Sequence, residues 1–172
     1  ETVVSAMDRI CLGAERHNDS RVNRDQLNVQ FQRIDQAIAM AVMFMATNVS
    51  VQAIVALTES GSTAQWLSRI RCPVPIFALS PSRDSRRRMA LFRGVYPIAH
   101  DFQSTNVEDD INEGLSLLYE QGLVKVGDRI ILTMGGQTGE KGGTNSLRFV
   151  QMGENGVFEN DPSQDICPIF TS

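Results

Sequence analysis

Residues 53–71 read AIVALTESGSTAQWLSRIR. The first six, AIVALT, form a short apolar run rich in branched side chains, which predicts a buried strand. The segment STAQWLSRIR (62–71) follows with the character of a helix, so a hydroxyl-rich turn joins the two elements. A buried strand that runs directly into a helix is the unit from which α/β folds are built.

The same alternation continues along the chain. We predict strands over residues 53–58, 75–80, 95–100, 129–134 and 145–152. We predict helices over residues 2–17, 31–47, 62–71, 82–92 and 106–122. The expected fold is α/β, a three-layer domain with a five-stranded, mostly parallel sheet and helices on both faces. No helix separates the last two strands, so the last strand should be antiparallel. Pro97 indicates an edge strand or a strand end, and Gly122 a helix C-cap.

Four segments follow from this pattern. Residues 1–17 form a helix, 18–30 a polar linker, 31–152 the α/β domain, and 153–172 a tail in which Gly, Asn, Asp and Pro predict poor order. With 172 residues, 42% of them hydrophobic, the chain can bury a core. Its longest apolar stretch, 37–46, is too short to cross a bilayer, so no membrane partner is expected.

Charge and cysteine usage exclude several functions. The chain has 16 basic and 20 acidic residues, and the net charge of −4 argues against a nucleic-acid partner. Cys11, Cys72 and Cys167 are far apart, odd in number and form no CxxC, which fits reduced thiols in the cytoplasm. His17 and His100 lack metal-ligand spacing, so no metal site is expected. No GxSxG motif occurs, and no nucleophile has an evident base partner, so no catalytic residue is assigned.

The turn between the first strand and its helix is the first candidate site. Thr58, Ser60, Gly61, Ser62 and Thr63 combine four hydroxyls and a glycine at the carboxyl end of a strand, where α/β proteins bind ligands. Such hydroxyls can donate hydrogen bonds to a phosphate. An alternative needs no ligand, because Ser62 and Gln65 match a capping box. Glu59 would also repel an anion if it pointed inward. From the local pattern, both interpretations stay open.

A glycine-rich segment is the second candidate. Residues 134–144 contain five glycines, which predicts a flexible loop. It is not a nucleotide P-loop, because Gly139 is followed by Glu140 and no Gly-Lys-Ser/Thr run exists. The loop is either a plain hairpin connection or a lid in which Lys141 and Gly142 contact a bound anion.

Arginines are concentrated in the middle of the chain. Residues 69–93 hold seven Arg and one acid, whereas residues 101–121 hold six acids and no base. The run Arg86-Arg87-Arg88 is typical of a solvated or interfacial helix face. Phosphate capture by Arg83 and nucleic-acid binding by the Arg run are the alternatives. Few exposed aromatics are available for base stacking, since the only Trp, Trp66, lies inside a helix.

Together these segments resemble the C-terminal domain of pyruvate kinases. The resemblance is carried by AIVALTESGSTAQWLSRIR (53–71), PIFALSPSRDSRRRMALFRGVYPI (75–98) and GDRIILTMGGQTGEKGGTNSLRF (127–149). The first residues, ETVVSAMDRICLGAE, resemble the last helix of the catalytic barrel that precedes this domain. The resemblance covers roughly residues 1–152, and it is specific because the motifs occur in the family's order.

The resemblance implies a function for the two candidate loops. In this family the C-terminal domain binds an allosteric effector and builds a tetramer interface, while the barrel holds Mg, K and the catalytic lysine. The effector phosphate would contact Thr58, Ser60, Gly61, Ser62 and Thr63, and the glycine-rich loop 135–143 would close over the sugar. The expected partners are a sugar-phosphate or AMP effector, the rest of a pyruvate kinase chain, and three further copies in a homotetramer. This segment alone, without the barrel motifs, should not turn over substrate.

One departure from the family bears on the effector. Relatives that respond to fructose bisphosphate carry an Arg and a Trp where this chain has Asp110 and Gln103. A carboxylate repels a second phosphate, which favours a monophosphate such as ribose 5-phosphate, glucose 6-phosphate or AMP. A free-standing phosphosugar-binding module without catalysis remains the alternative, although the barrel-like first helix argues against it.

Overall fold

The structure is a computed structural model, and it describes residues 2–17, 30–102, 107–135, 144–154 and 158–159. The helices of this part are α1 (Thr2–His17), α2 (Ile34–Asn48), α3 (Ser62–Ser68), α4 (Arg83–Met89) and α5 (Val107–Glu120). The strands are β1 (Ala53–Leu57), β2 (Ile76–Ser80), β3 (Val95–Ala99), β4 (Arg129–Gly135), β5 (Thr144–Met152) and β6 (Phe158–Glu159). From α1 to β5 their order along the chain is the predicted one.

The strands form one sheet in the order β3-β2-β1-β4-β5-β6. β1 lies in the middle, parallel to β2 and to β4, and β3 is parallel to β2. β5 runs antiparallel to β4. The α/β class, the mostly parallel sheet and the antiparallel fifth strand are therefore confirmed. Pro97 lies in β3, which is the edge strand that its imino nitrogen predicts.

A sixth strand lies inside the predicted tail. β6 pairs antiparallel with β5 through Gln151↔Glu159 and Met152↔Phe158. The prediction of poor order from residue 153 onward was wrong for this pair. Two residues are too few to show the alternation over about 4–8 residues by which a strand is read from sequence. The other residues of the tail, apart from 153 and 154, lie outside the described part, as does most of the predicted linker.

Helices cover both faces of the sheet, which confirms the three layers. Side chains alternate along β1, so Ile54 and Ala56 join one core cluster, and Ala53 and Val55 join the other. The first cluster is completed by α2, α3 and Met89 of α4, and the second by Ile111, Leu115 and Leu118 of α5. Burial of each such large aliphatic side chain stabilises the fold by about 1.5–3 kcal/mol.

Two helix ends show how local chemistry sets the boundaries. α2 begins at Ile34, where Asp35 accepts hydrogen bonds from Arg33 Nη2 (2.6 Å) and from the amide of Gln36 (2.9 Å). The end of α5 is closed by Gly122, whose φ is +69° and whose amide donates to Tyr119 O at 2.9 Å. The next amide, of Leu123, donates to Leu118 O at 3.0 Å, and the two bonds together form a Schellman cap. Gly122 is thus the predicted C-cap.

The first helix has an exposed apolar stripe. In α1, Val3, Val4, Met7 and Ile10 are each more than half exposed. Within the described residues, no helix combines the length and apolar character that crossing a bilayer requires. The two cysteines of this part, Cys11 and Cys72, are free thiols.

Candidate effector-binding site

The loop between β1 and α3 is built around one glycine. Gly61 has φ +82° and ψ 5°, a left-handed conformation that L side chains rarely adopt. A Cβ at this position would lie 2.9 Å from Met89 Cγ of α4. Backbone conformation and packing therefore both require glycine here, and Met89 of α4 packs directly against the loop.

Hydroxyl groups fold the loop onto itself. The Gly61 amide donates to Thr58 Oγ1 at 3.0 Å, and the Ser62 amide points at Ser60 Oγ at 3.4 Å. Ser60 Oγ in turn donates to Ser62 Oγ at 3.3 Å. The hydroxyls thus hold the loop in a compact turn and bring the two serine side chains together.

The capping-box interpretation of Ser62 is wrong. The N-cap of α3 is Gly61, and Ser62 is the first helical residue, so its side chain does not occupy the capping position. The Gln65 amide donates to Gly61 O at 3.0 Å as part of the helix. The sequence could not show this, because the position of the cap depends on the left-handed backbone of Gly61. No side chain caps α3, so capping does not explain Ser62.

Burial divides the predicted site residues into two pairs. Thr58 and Thr63 are only 6% exposed, and Thr63 Oγ1 lies 2.5 Å from Thr144 Oγ1 of β5. Ser60 and Ser62 are half-buried. The threonines therefore support the loop, while the serines face outward. Lys141 and Gly142 lie outside the described residues.

An arginine of α4 that the sequence did not single out stands beside the loop. Arg88 Nη2 lies 3.5 Å from Ser60 O and 3.2 Å from Ser85 Oγ, and the side chain is exposed. Ser85 and Met89, three residues before it and one after it, are buried, so this helix face is turned toward the loop. A cation at this place would attract a phosphate bound at the serines.

The three consecutive arginines have different surroundings. Arg86 Nη1 donates to Ser80 O (2.6 Å) and Pro81 O (2.7 Å), and so ties α4 to the end of β2. Arg87 is exposed, as expected for a solvated face. Arg88 lies beside the loop because β2, which leads into α4, is next to β1 in the sheet. This neighbourhood cannot be read from local sequence, so the three arginines were predicted to form one surface.

Glu59, in the loop, and Asp110, on α5, differ in burial. Glu59 is exposed, and its backbone carbonyl accepts a hydrogen bond from Ser80 Oγ at 3.2 Å. Asp110 is buried in the first turn of α5, at 8% exposure. Gln103 lies outside the described residues.

The glycine-rich segment begins and ends close to the loop. β4 ends at Gly135, which pairs with Thr144, the first residue of β5. The contact between Thr144 and Thr63 fixes that end next to the start of α3. The residues between, 136–143, lie outside the described part.

A groove of about 430 Å³ lies elsewhere, between the start of α2 and α3. Phe31, Met40, Trp66 and Ile70 supply its apolar lining, and the guanidinium of Arg69 stacks 4.1 Å from the centre of the Trp66 ring. None of the predicted site residues lines it, and the sequence analysis did not find it.

The fold and the loop define an α/β domain with a polar turn at the carboxyl end of its central parallel strand. Residues 36–150 match the family model described as "Pyruvate kinase, alpha/beta domain". The chain is 41% identical over 153 residues to "Pyruvate kinase" of Buchnera aphidicola subsp. Schizaphis graminum, covering 88% of this chain and 31% of the relative. It is 39% identical over 148 residues to "Pyruvate kinase II" of Salmonella typhimurium, covering 86% of this chain and 31% of that protein.

The chain therefore belongs to the pyruvate kinase family and contains its C-terminal alpha/beta domain. It spans about a third of the length of these two relatives, 31% in each case. The resemblance drawn from the motifs is confirmed.

Proposed function

We propose that this chain is the regulatory domain of a pyruvate kinase and binds a phosphomonoester effector at loop 58–63. The observation that carries the proposal is the pair of half-buried serines, Ser60 and Ser62, set on a glycine turn with the Arg88 guanidinium beside it. The hydroxyls donate to phosphate oxygens and the guanidinium supplies the opposite charge. A hydrogen bond to a charged group contributes about 1.5–3 kcal/mol, so two or three suffice for useful affinity.

Two acidic residues support a single phosphate rather than two. The resemblance aligns the buried Asp110 with the arginine of bisphosphate-responsive relatives, and Glu59 adds an exposed carboxylate in the loop itself. Both would repel a second phosphate. The proposed effector is therefore a sugar monophosphate, such as ribose 5-phosphate or glucose 6-phosphate, or AMP.

Regulation would act through a shift between two populations of the assembled enzyme. An effector changes activity only by its different affinity for the two states, with a typical coupling of about 1–3 kcal/mol. Thr144, the first residue of β5, contacts Thr63 of the loop. A change in the loop on ligand binding can therefore affect the position of that strand. We propose loop 135–143, α5 and strand β5 as the elements that differ between the states, the last two through contacts between subunits of a homotetramer.

The parent reaction would be phosphoryl transfer from phosphoenolpyruvate to ADP, giving pyruvate and ATP. The exposed apolar residues of α1, Val3, Met7 and Ile10 among them, support a chain that packs against a further part of a parent protein. They argue against a free-standing module, in which an exposed apolar stripe would favour aggregation. On this proposal the 172 residues alone have no turnover.

Titration calorimetry on the full parent enzyme tests the proposal. Ribose 5-phosphate, glucose 6-phosphate, AMP and fructose 1,6-bisphosphate are titrated separately, and at least one monophosphate should bind most tightly. The variant Ser62→Asp should abolish that binding and the activation, because it places a carboxylate where the phosphate lies. Ser50→Asp is the matched control, since it adds the same charge at an exposed position before β1, at the other end of that strand.

Two results would contradict the proposal in different ways. Tighter binding of the bisphosphate than of every monophosphate would reject the effector class. Unchanged activation of Ser62→Asp would reject the loop as the binding site.

A further inference from the structure

Three side chains from separate parts of the chain converge next to the edge strand β3. His100 follows β3 directly, and Asp110 and Glu113 lie on α5. Each offers one ligand atom, and these atoms all lie within 4.8 Å of one another. We propose that His100, Asp110 and Glu113 bind a divalent transition-metal ion, with Zn²⁺ as the best fit to the donors.

The helix presents its two carboxylates together. Asp110 and Glu113 are three residues apart, so they lie on the same face of α5, one turn above the other. Asp110 is buried and Glu113 is exposed, so the cluster reaches from the protein interior to the solvent. A metal ion could therefore enter from the exposed side, with Glu113 adjusting its rotamer to close the site.

Gly114 lies where α5 meets β2 and the imidazole. A Cβ at this position would lie 2.6 Å from Leu79 Cδ2 of β2 and 3.7 Å from His100 Nε2. A side chain here would therefore require the end of Leu79 to move, whereas its contact with the imidazole would be an ordinary van der Waals contact. The glycine thus allows close packing of α5 on Leu79, beside His100.

The imidazole is held in a fixed orientation. His100 Nε2 lies 3.2 Å from the backbone carbonyl of Asp110, and the ring meets Phe102 edge-on at 5.5 Å between centroids. A ring nitrogen that donates to a carbonyl leaves the lone pair of the other nitrogen for an ion. Histidines that bind metals commonly use their second nitrogen in this way, because the hydrogen bond fixes tautomer and ring plane.

The donor set selects the kind of ion. One imidazole and two carboxylates suit Zn²⁺ and similar transition metals, whereas Mg²⁺ and Ca²⁺ prefer oxygen ligands throughout. Bonds of about 2.0–2.2 Å place tetrahedral ligands roughly 3–3.5 Å apart, so a small contraction of the cluster forms the site. A dication also offsets the repulsion between two neighbouring carboxylates. Three protein ligands leave a further position for water.

Sequence analysis predicted no metal site, because only two histidines occur and their spacing fits no motif. His100 and Asp110 are ten residues apart, and they meet only because α5 packs against the sheet behind β3. The proposal shares Asp110 with the argument for a monophosphate effector, but its test does not involve the effector loop.

Titration of the 172-residue chain with Zn²⁺, followed by calorimetry, tests the site. The wild-type chain should bind one equivalent of Zn²⁺. Glu113→Gln should weaken this affinity by roughly tenfold or more, since a ligand is lost. Glu120→Gln, an exposed change at the end of the same helix, is the matched control and should bind like wild type. His100→Asn should also lose binding, and Co²⁺ should show a visible absorption band that both ligand variants abolish. Mg²⁺ at the same concentration should not compete.

Glu113 is exposed, so its variant keeps the test decisive even if His100→Asn does not fold. Absence of Zn²⁺ binding by the folded wild-type chain would overturn the proposal. Binding that Glu113→Gln leaves unchanged would assign the ion to other ligands, such as the cysteines, and would overturn it equally.

Discussion

Thr63 and Thr144 are 81 residues apart in sequence, yet their hydroxyl oxygens lie 2.5 Å from each other in the protein interior. This hydrogen bond joins the start of α3, in the candidate site, to the start of β5. It is the direct connection, within the described residues, between the hydroxyl loop and the strand that follows the glycine-rich segment.

Removal of either hydroxyl should destabilise the domain. Thr63→Val or Thr144→Val leaves the other hydroxyl buried without this partner, at a cost of about 1–3 kcal/mol in the free energy of unfolding. The double variant should lose less than the sum of the two single losses, because both remove the same bond. Urea unfolding of the four proteins measures this. Strict additivity would show that the two hydroxyls do not interact.

Gly61→Ala should destabilise the domain more than a glycine substitution without a steric contact. At Gly61 the added methyl group meets both a positive φ and the Met89 side chain. Gly94→Ala is the control, because its φ is +68° but nothing lies within 4 Å of an added Cβ. We expect a loss of roughly 1–3 kcal/mol for Gly61→Ala and a smaller loss for Gly94→Ala. Equal losses in thermal unfolding would mean that Met89 yields without cost.

Arg88→Gln should weaken effector binding by roughly 10- to 100-fold, the equivalent of one charged hydrogen bond. Arg87→Gln is the matched control, since it removes the same charge from the neighbouring exposed position. The dissociation constant of the tightest monophosphate, measured by calorimetry at fixed salt, gives the comparison. If both changes weakened binding to a similar extent, the arginines would act through the overall positive charge of the surface and not through a contact of Arg88 at the loop.

The stability of the domain should depend on pH through Asp35, at the start of α2. Hydrogen bonds from the Arg33 guanidinium hold the pKa of Asp35 below its usual range. A carboxyl whose pKa is lower in the folded state stabilises the fold above its unfolded pKa, and this contribution disappears as pH falls through the folded value. Asp35→Asn should therefore lower the melting temperature at pH 7, through a loss of up to about 1 kcal/mol, and have little effect near pH 2.

The exposed Asp8 supplies a control for this experiment. Asp8→Asn on α1 should leave the melting temperature nearly unchanged at both pH values, since no partner is seen for this side chain within the described residues. A difference between wild type and Asp35→Asn that stayed constant down to pH 2 would contradict a role of the charged carboxylate.

The sequence predicted the fold well where the signal is local. The run of β1 is continuously apolar and rich in branched residues, the stripe of α5 is long enough to show the helical period, and Gly122 marks a helix end by its own backbone preference. β6 was missed because two residues carry no period. The capping of α3 was misjudged because Gly61, and not a hydroxyl residue, occupies the N-cap.

The site could be predicted only in outline. Thr58, Ser60, Ser62 and Thr63 share one chemistry in the sequence, but the packing of α3 and β5 buries the threonines and leaves the serines open. Arg88 and the cluster of His100, Asp110 and Glu113 depend on which strands are neighbours and how closely α5 approaches. Such contacts arise from the tertiary structure and have no counterpart in local spacing.

Pro97 has a consequence for how this domain meets other chains. The His100 amide donates to Ser80 O at 3.3 Å, so alternate amides of β3 point toward β2 and the imino nitrogen of Pro97 faces outward. The free side of β3 therefore lacks a donor in its middle, and a foreign strand cannot dock there with a continuous ladder. Pro97 therefore protects this edge of the sheet against edge-to-edge pairing with strands of other molecules.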